Sequence, residues 1–383
     1  MYKNMQKVIF SILIAFVIIS CASKLETPEQ KIARFSSYVK KDNRDYESYY
    51  KLGILYMNRK QYGKAADSFG SVVPIKKNYL DAVFMYGLAF YYLGKYDKAE
   101  KQLKKAIAIN SKDTEATSLL ATVMLKKGNF KKAGSFFKMV LKSNPKGSHA
   151  NNGLGLAYEG QGQIETALKI WEDYIKINPN LVTVRNNLGV AYQKLGRLEE
   201  ALNQFDETLK INSNHLNAML NKGVVLAKMR KYNKSISVLK TALKFNYNVS
   251  KTHAVLGWVY EKKGDFRAAI SSLKEAIRLN SKDEKSYQVL GKIYFELKKF
   301  SLAIAAYKEV LIINPHNKFA HFSLGKLYHS KRDGNRAVTN SIWAEKLFRD
   351  SGQHDIADKA MKNLNEYYKI YKLKPENFAA IVE

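Results

Sequence analysis

The sequence predicts an all-α chain, an α-solenoid of nine 34-residue helical hairpins closed by a capping helix at each end. Three observations predict it. Small and aromatic residues recur every 34 residues between 46 and 351 with no insertion or deletion. Within each unit, apolar residues lie three and four apart, the spacing that gathers them on one face of a helix. Only 6 prolines interrupt 383 residues, which suits long helices and not a turn-rich sandwich. Hydrophobic residues at 46% and aromatics at 12% supply a packed core, so global disorder is excluded.

Lys3 and Lys7 precede an apolar run from Val8 to Ile19, and Ser20-Cys21-Ala22 follows. A basic start, an apolar stretch and small residues make up an export signal. Twelve residues rise about 18 Å as a helix, short of the roughly 30 Å hydrocarbon core, so a spanning helix is the weaker reading. Ile18-Ile19-Ser20-Cys21 resembles the lipobox of bacterial lipoproteins, with Ile and Ser where that family favours Leu and Gly or Ala. The resemblance implies a signal peptide over 1–20, lipidation of Cys21 and a tether over 21–27. It also implies a lipid-anchored place in a bacterial cell envelope, at the outer membrane or the periplasmic face. Cleavage after Ala22, or retention as an uncleaved anchor, stays open. A lone cysteine excludes an intrachain disulfide framework and any zinc site needing two thiolates.

Thr27-Pro28-Glu29 opens an N-terminal capping helix, assigned to 28–45, with Pro at its first position. Its stripe of Ile32, Phe35 and Tyr38 is in register with the second helix of an incomplete unit. Nine units then begin at 46, 80, 114, 148, 182, 216, 250, 284 and 318. Their eighth position is glycine except at Ala121, and their twentieth is alanine except at Ser235. The eleventh is tyrosine in six units. A C-terminal capping helix is expected over 352–373, carried by Ile356, Ala360, Leu364, Tyr367 and Tyr371. Residues 374–383 are expected to fray.

In the unit over 182–215, Leu188, Gly189, Tyr192, Ala201 and Phe205 stand in order, and Pro145, Pro179 and Pro315 close three other units. This pattern resembles the tetratricopeptide repeat, without that family's tryptophan near the start of the unit. One hairpin cannot bury its apolar face alone, so neighbours must stack. Small eighth and twentieth residues let the two backbones of a hairpin approach. The tyrosine at the eleventh position and the aromatic at the twenty-fourth (Phe69, Phe137, Trp171, Phe205, Tyr307) are read as filling the gap to the next pair. Lys222 and Ser235 make the sixth unit an expected soft spot. The resemblance implies a right-handed superhelix whose first helices line a concave groove.

The sequence offers no catalytic motif. Its 7 histidines are scattered; His321 and His329 share a helix face but read as surface decoration, not a metal site. The glycines fall inside helices or hairpin turns, so no phosphate-cradling loop exists, and no nucleophile motif is found. The expectation is no enzyme, no cofactor and no metal.

Function is therefore expected on the concave face, in three zones. Tyr50, Phe84, Leu88, Tyr91 and Tyr92 form an apolar stretch that seats hydrophobic side chains, unless the N-terminal helix covers it. Asn152, Asn186, Asn187 and Asn221 recur in three successive units, and each amide matches the donor and acceptor of one peptide group. They resemble the asparagine ladder of the O-GlcNAc transferase superhelix; the alternative is a chain that uses Asn freely. Lys126, Lys194, Lys228 and Lys262 form a basic rim that attracts acidic partners, or simply a solvated row.

Lys and Arg total 64 against 34 Asp and Glu, a net charge of +30. Export would separate that charge from DNA and RNA, and no nucleic-acid module is recognisable, so nucleic acid is not an expected partner. Nor is a small-molecule substrate. The partners expected are other proteins or extended peptides, with acidic ones favoured, and the membrane through Cys21. The function expected is a non-catalytic interaction scaffold, an envelope assembly factor by fold-level analogy. The alternative is a basic envelope adhesin or structural protein that binds anionic lipid or polymer; an enzyme regulator would have the same sequence.

Overall fold

The computed structural model of the chain describes residues 26–381, so the export signal and Cys21 lie outside the described residues. Among the described residues there are twenty α-helices, one 3-10 turn and no strand. They form two compact units, one ending at Tyr174 and the other beginning at Ile175.

In the first unit, Thr27 caps the opening helix Pro28–Lys41: its hydroxyl accepts from Gln30 N at 3.2 Å, and the Gln30 side chain accepts from Thr27 N at 2.9 Å. That helix packs against Tyr46–Asn58, the first helix of hairpin one. The helices Tyr62–Ile75, Leu80–Tyr92, Tyr96–Ile109, Thr114–Lys126, Phe130–Ser143, Ser148–Gly160 and Ile164–Ile177 follow, the last running to the unit boundary. The second unit holds five hairpins, with first helices Val182–Lys194, Leu216–Lys228, Ser250–Lys263, Glu284–Glu296 and Lys318–Ser330. Their second helices are Leu198–Ile211, Tyr232–Phe245, Phe266–Leu279, Phe300–Ile313 and Gly334–Asp350. Each first helix opens on the first residue of a 34-residue period; consecutive helices pack on each other from Pro28–Lys41 to Ser148–Gly160 in the first unit and from Val182–Lys194 to His354–Tyr371 in the second. Each unit is thus an all-α solenoid stack.

The position-twenty residues, Ala65 through Ala337 with Ser235 among them, are all 0% exposed. The eighth position works differently from the sequence reading. A Cβ on Gly155 would lie 2.2 Å from Trp171 Nε1, and one on Gly189 would lie 2.7 Å from the Phe205 ring. Gly53 meets Phe69, Gly87 meets Leu103 and Gly291 meets Tyr307 in the same way. The glycine is therefore a seat for the twenty-fourth residue of its own hairpin; the large side chain there fills its own hairpin and does not merely bridge to the next. Hairpin three, with Ala121 in place of glycine, lays the Phe137 ring against Gly153 of hairpin four.

The turns explain much of the asparagine content. Asn110, Asn212, Asn246, Asn280 and Asn314 each follow a second helix, and each side-chain oxygen accepts the backbone N–H two residues on, at 3.1–3.3 Å. Such Asx turns satisfy a donor the helix end leaves open. Between the helices of a hairpin, the turn residue is left-handed: Gly94, Gly128, Gly162, Gly196 and Gly264, but Lys60, Arg230, Lys298 and Arg332 in the other four. A non-glycine residue in that region costs roughly 1 kcal/mol.

Three expectations are corrected. The sixth unit is not left unsatisfied: Ser235 donates to Gly223 O at 2.6 Å, and Lys222 pairs with Asp206 at 2.5 Å. The C-terminal helix runs His354–Tyr371, and the tail after it does not fray; Pro375–Ile381 is a 3-10 turn that buries Phe378 against Tyr368 at 6.1 Å. His321 and His329 are not decoration. His321 is buried, with ring nitrogens 3.0 Å from Asn340 Oδ1 and from Pro315 O, whereas His329 stacks on Tyr367 at 4.5 Å and tightens the cap through the Tyr371 hydroxyl at 3.0 Å. Burial among these rings pushes the Tyr367 hydroxyl up to about 12.

Overpacking of a filled site typically costs about 1–3 kcal/mol. Gly155→Ala is expected to destabilise the first unit by about that amount in a denaturant titration followed by circular dichroism. Gly63→Ala, in a helix and with nothing within 4 Å of the added methyl, is expected to leave stability unchanged or raise it by up to about 1 kcal/mol.

Candidate functional site

In the first unit, the first helices of hairpins two, three and four present their third-and-fourth-spaced residues to a common cavity of about 680 Å³. Phe84, Leu88, Tyr91 and Tyr92 form one wall. Thr114, Glu115, Ser118, Leu119 and Thr122 form the floor, and Ser148, His149 and Ala150 the far side. Four of the five residues expected in the apolar zone thus share one cavity. Tyr50 does not line it; its ring packs on Phe69 and Tyr79, at 5.7 and 5.2 Å. Tyr92 is 51% exposed yet held in place by a stacked Tyr62 ring at 4.7 Å. A rigid aromatic that offers half its surface loses little entropy when a ligand covers it.

The cavity pairs its apolar wall with a polar floor and far side, from Thr114, Glu115, Ser118, Thr122, Asn144, Ser148 and His149. His149 Nε2 lies 3.0 Å from Thr122 Oγ1, and its ring meets Phe137 edge-on at 5.9 Å. Desolvation by the neighbouring side chains holds the imidazole below its ordinary pKa. The Tyr91 hydroxyl is pushed up by burial as well. The cavity thus combines apolar walls with hydroxyls, one imidazole ring and the single carboxylate of Glu115.

The second unit has its own site on the matching helix face, not anticipated from sequence. Ala254, Val255 and Trp258 of hairpin seven and Val289 of hairpin eight line an open cavity of about 450 Å³, with Lys251, Lys285 and Asp283 at its edge. Their phases, fifth, sixth and ninth in the period, match those of Phe84 and Leu88, which was the available signal. A smaller cavity of about 170 Å³ follows between Phe295 and Phe322, flanked by Lys292 and Lys326. Lys292 is tied to buried Glu261 at 2.5 Å, which raises its pKa.

The asparagines divide. Asn152 belongs to the first unit and Asn186, Asn187 and Asn221 to the second; all four are half-buried. Asn221 Nδ2 donates to Asn186 Oδ1 at 3.2 Å, so these two amides join directly across successive first helices. Lys126 lies in the first unit, and Lys194, Lys228 and Lys262 in the second; all are exposed, and Lys262 Nζ is 3.4 Å from Glu261. Among the described residues no group of three or more metal-ligating side chains converges, and no helix is long and apolar enough to cross a membrane.

Tetratricopeptide repeat models match residues 91–156, 153–180, 182–215 and 250–283, and a TPR repeat model matches 291–331. No curated protein sequence matches this one significantly. Among solved structures, a tetratricopeptide repeat protein from Parabacteroides merdae superposes with a TM-score of 0.53 at 18% identity, over 66% of this chain and 98% of that one. Yeast Tom70 gives 0.55 at 12% identity, over 92% and 94% of the two chains. Human IFIT1, solved as a dimer with m7Gppp-AAAA, gives 0.52 at 16% identity over 86% and 89%. At these identities the likeness is one of fold.

Because desolvation lowers the folded-state pKa of His149 and His215, the unfolded chain takes up their protons first as pH falls. Stability present above the unfolded value near 6.5 is therefore lost as pH drops through it toward the folded values. Thermal midpoints measured from about pH 7.5 to 5.5 are expected to decline, and His149→Gln to flatten the slope for the first unit.

Proposed function

The chain belongs to the tetratricopeptide repeat family, and from that premise we propose that it is a non-catalytic scaffold that holds extended segments of partner proteins. The observation that carries the reading is the 680 Å³ cavity of the first unit, where Phe84, Leu88, Tyr91 and Tyr92 face a hydroxyl-lined floor. An apolar wall facing a polar floor suits both the side chains and the backbone of a peptide laid across successive helices. The Trp258 cavity supplies a second anchor point in the other unit. Asn152, Asn186, Asn187 and Asn221 are half-buried amides proposed to meet peptide backbone, with Asn186 and Asn221 joined to each other at 3.2 Å.

The place we propose for this scaffold is a bacterial envelope, with the chain held by acyl groups on Cys21 as an assembly factor. Lys3, Lys7, the apolar run Val8–Ile19 and Ser20-Cys21 support that reading. More than one acyl chain makes such anchoring stable.

Photo-crosslinkers placed at Leu88 and at Val255 in intact cells are expected to capture one defined protein in high yield. Tyr92→Ala and Trp258→Ala are each expected to weaken that partner's affinity by about tenfold or more, the loss that follows removal of an aromatic anchor. Diffuse capture of lipids or polymers, or unchanged affinity in both variants, would overturn the reading. Cys21→Ala is expected to move the protein from the membrane to the soluble fraction and to abolish its lipid-dependent mobility shift.

A further inference from the structure

Among the turns of the second unit, the cations are gathered on one edge. Consecutive helices pack against each other and successive first helices are also neighbours, so the turns inside hairpins share one edge and the turns between hairpins share the opposite one. The five turns inside hairpins (194–197, 228–231, 262–265, 296–299 and 330–333) carry eleven Lys or Arg against three acids. The five turns on the opposite edge (178–181, 212–215, 246–249, 280–283 and 314–317) carry one Lys and one Asp. Two of the three acids on the basic edge are occupied: Asp265 caps Ala268 N at 3.0 Å, and Asp333 caps Arg336 N at 3.2 Å.

Backbone geometry gives independent support. Arg230, Lys298 and Arg332 are held at φ 58°, 56° and 60°, where the equivalent turns use Gly196 and Gly264. Glycine would relieve that strain at no loss of contact, since all three side chains point to solvent. Lys60 of the first unit is the one other strained residue at this phase, so wherever glycine is replaced there the replacement is a cation, which indicates that the charge itself is used. None of the twenty basic-edge residues is aromatic, so the edge offers no platform for stacking bases. Instead the aliphatic side chains of Leu195, Met229 and Leu297 stand among the cations, with Leu297 38% exposed.

We propose that this edge docks the second unit on an anionic lipid bilayer surface, through Arg230, Lys298 and Arg332 together with the lysines beside them. Cations interspersed with short aliphatics suit the headgroup region, where each cation adds attraction and screening by salt weakens it. The inference deepens the envelope reading and is independent of peptide binding in either cavity.

The test uses the full chain carrying Cys21→Ala, so that no acyl group contributes. Sedimentation with vesicles of about 30% phosphatidylglycerol in phosphatidylcholine is compared with pure phosphatidylcholine vesicles at about 0.1 M salt. The triple variant Arg230→Gly, Lys298→Gly, Arg332→Gly is expected to bind the anionic vesicles at least about tenfold more weakly, with an unfolding midpoint no lower than its parent. A charge-matched control, Lys240→Gln, Lys244→Gln, Lys274→Gln, removes three exposed cations from second helices of the same unit and is expected to bind as the parent does. Equal losses in both triple variants would reduce the effect to net charge and overturn the proposal. So would unchanged binding in the glycine variant, or displacement of the vesicles by heparin or single-stranded DNA held more tightly than the lipid. Loss of peptide capture with vesicle binding intact would count against the scaffold reading alone.

Discussion

One steric constraint underlies every hairpin but the third: the eighth residue must leave room for the twenty-fourth. At Gly155 the space a methyl would need is already occupied by the Trp171 indole, and at Gly53 by the Phe69 ring. The two helices are thereby pinned at one crossing point, with the invariably buried twentieth residue beside it. A ring fully removed from water contributes roughly 2–3 kcal/mol, and the seat sets where it is buried. With the hairpin fixed in this way, its opposite faces become predictable, since every neighbour presents the same relief. Gly334 repeats the device at the C-terminal end, where it seats Tyr371 of the final helix.

Recognition surfaces follow from what that packing leaves over. The first helix of a hairpin spends its eighth and eleventh residues on the core, so its fifth, sixth, ninth and twelfth remain to face outward on the other side. Large residues at those phases, such as Phe84, Leu88 and Trp258, do not fill the space between adjacent helices, and open cavities result. Polar residues at the same phases instead find one another, as Asn186 and Asn221 do. The cavities and the amide pair are two outcomes of one geometry with different side chains.

Charge and strain are distributed by a different rule. On helix faces the cations meet partners: Lys104 reaches Glu100 at 2.7 Å, and Arg278 holds Glu275 through two bonds. In the left-handed turns Arg230, Lys298 and Arg332 are exposed to solvent, whereas Arg197 beside Gly196 pairs with Glu200 at 2.8 Å. Basic side chains in left-handed turns therefore couple two properties that elsewhere are separate, backbone strain and uncompensated field. Two histidines show the reverse: His253 and His321 are turned inward and bonded, and contribute packing.

The sequence by itself determined the period, the all-α class, the small residues at its eighth and twentieth positions, and the family. A 34-residue repeat with glycine and alanine in fixed phase admits few other folds, because only stacked hairpins bury all nine copies of the pattern alike. It also marked Phe84, Leu88, Tyr91 and Tyr92 as neighbours, since they lie on one face of one helix. Tertiary structure alone decided which group fills each glycine seat, for the twenty-fourth residue stands within reach of both its own hairpin and the next. It decided that Tyr50 turns to the core, that Ser235 and Lys222 find partners, and that Phe378 anchors the tail. The Trp258 cavity and the one-sided charge belong to the same class. Each arises from residues on several helices or turns, and a linear pattern records the phase of every residue but not the space left when neighbouring side chains meet.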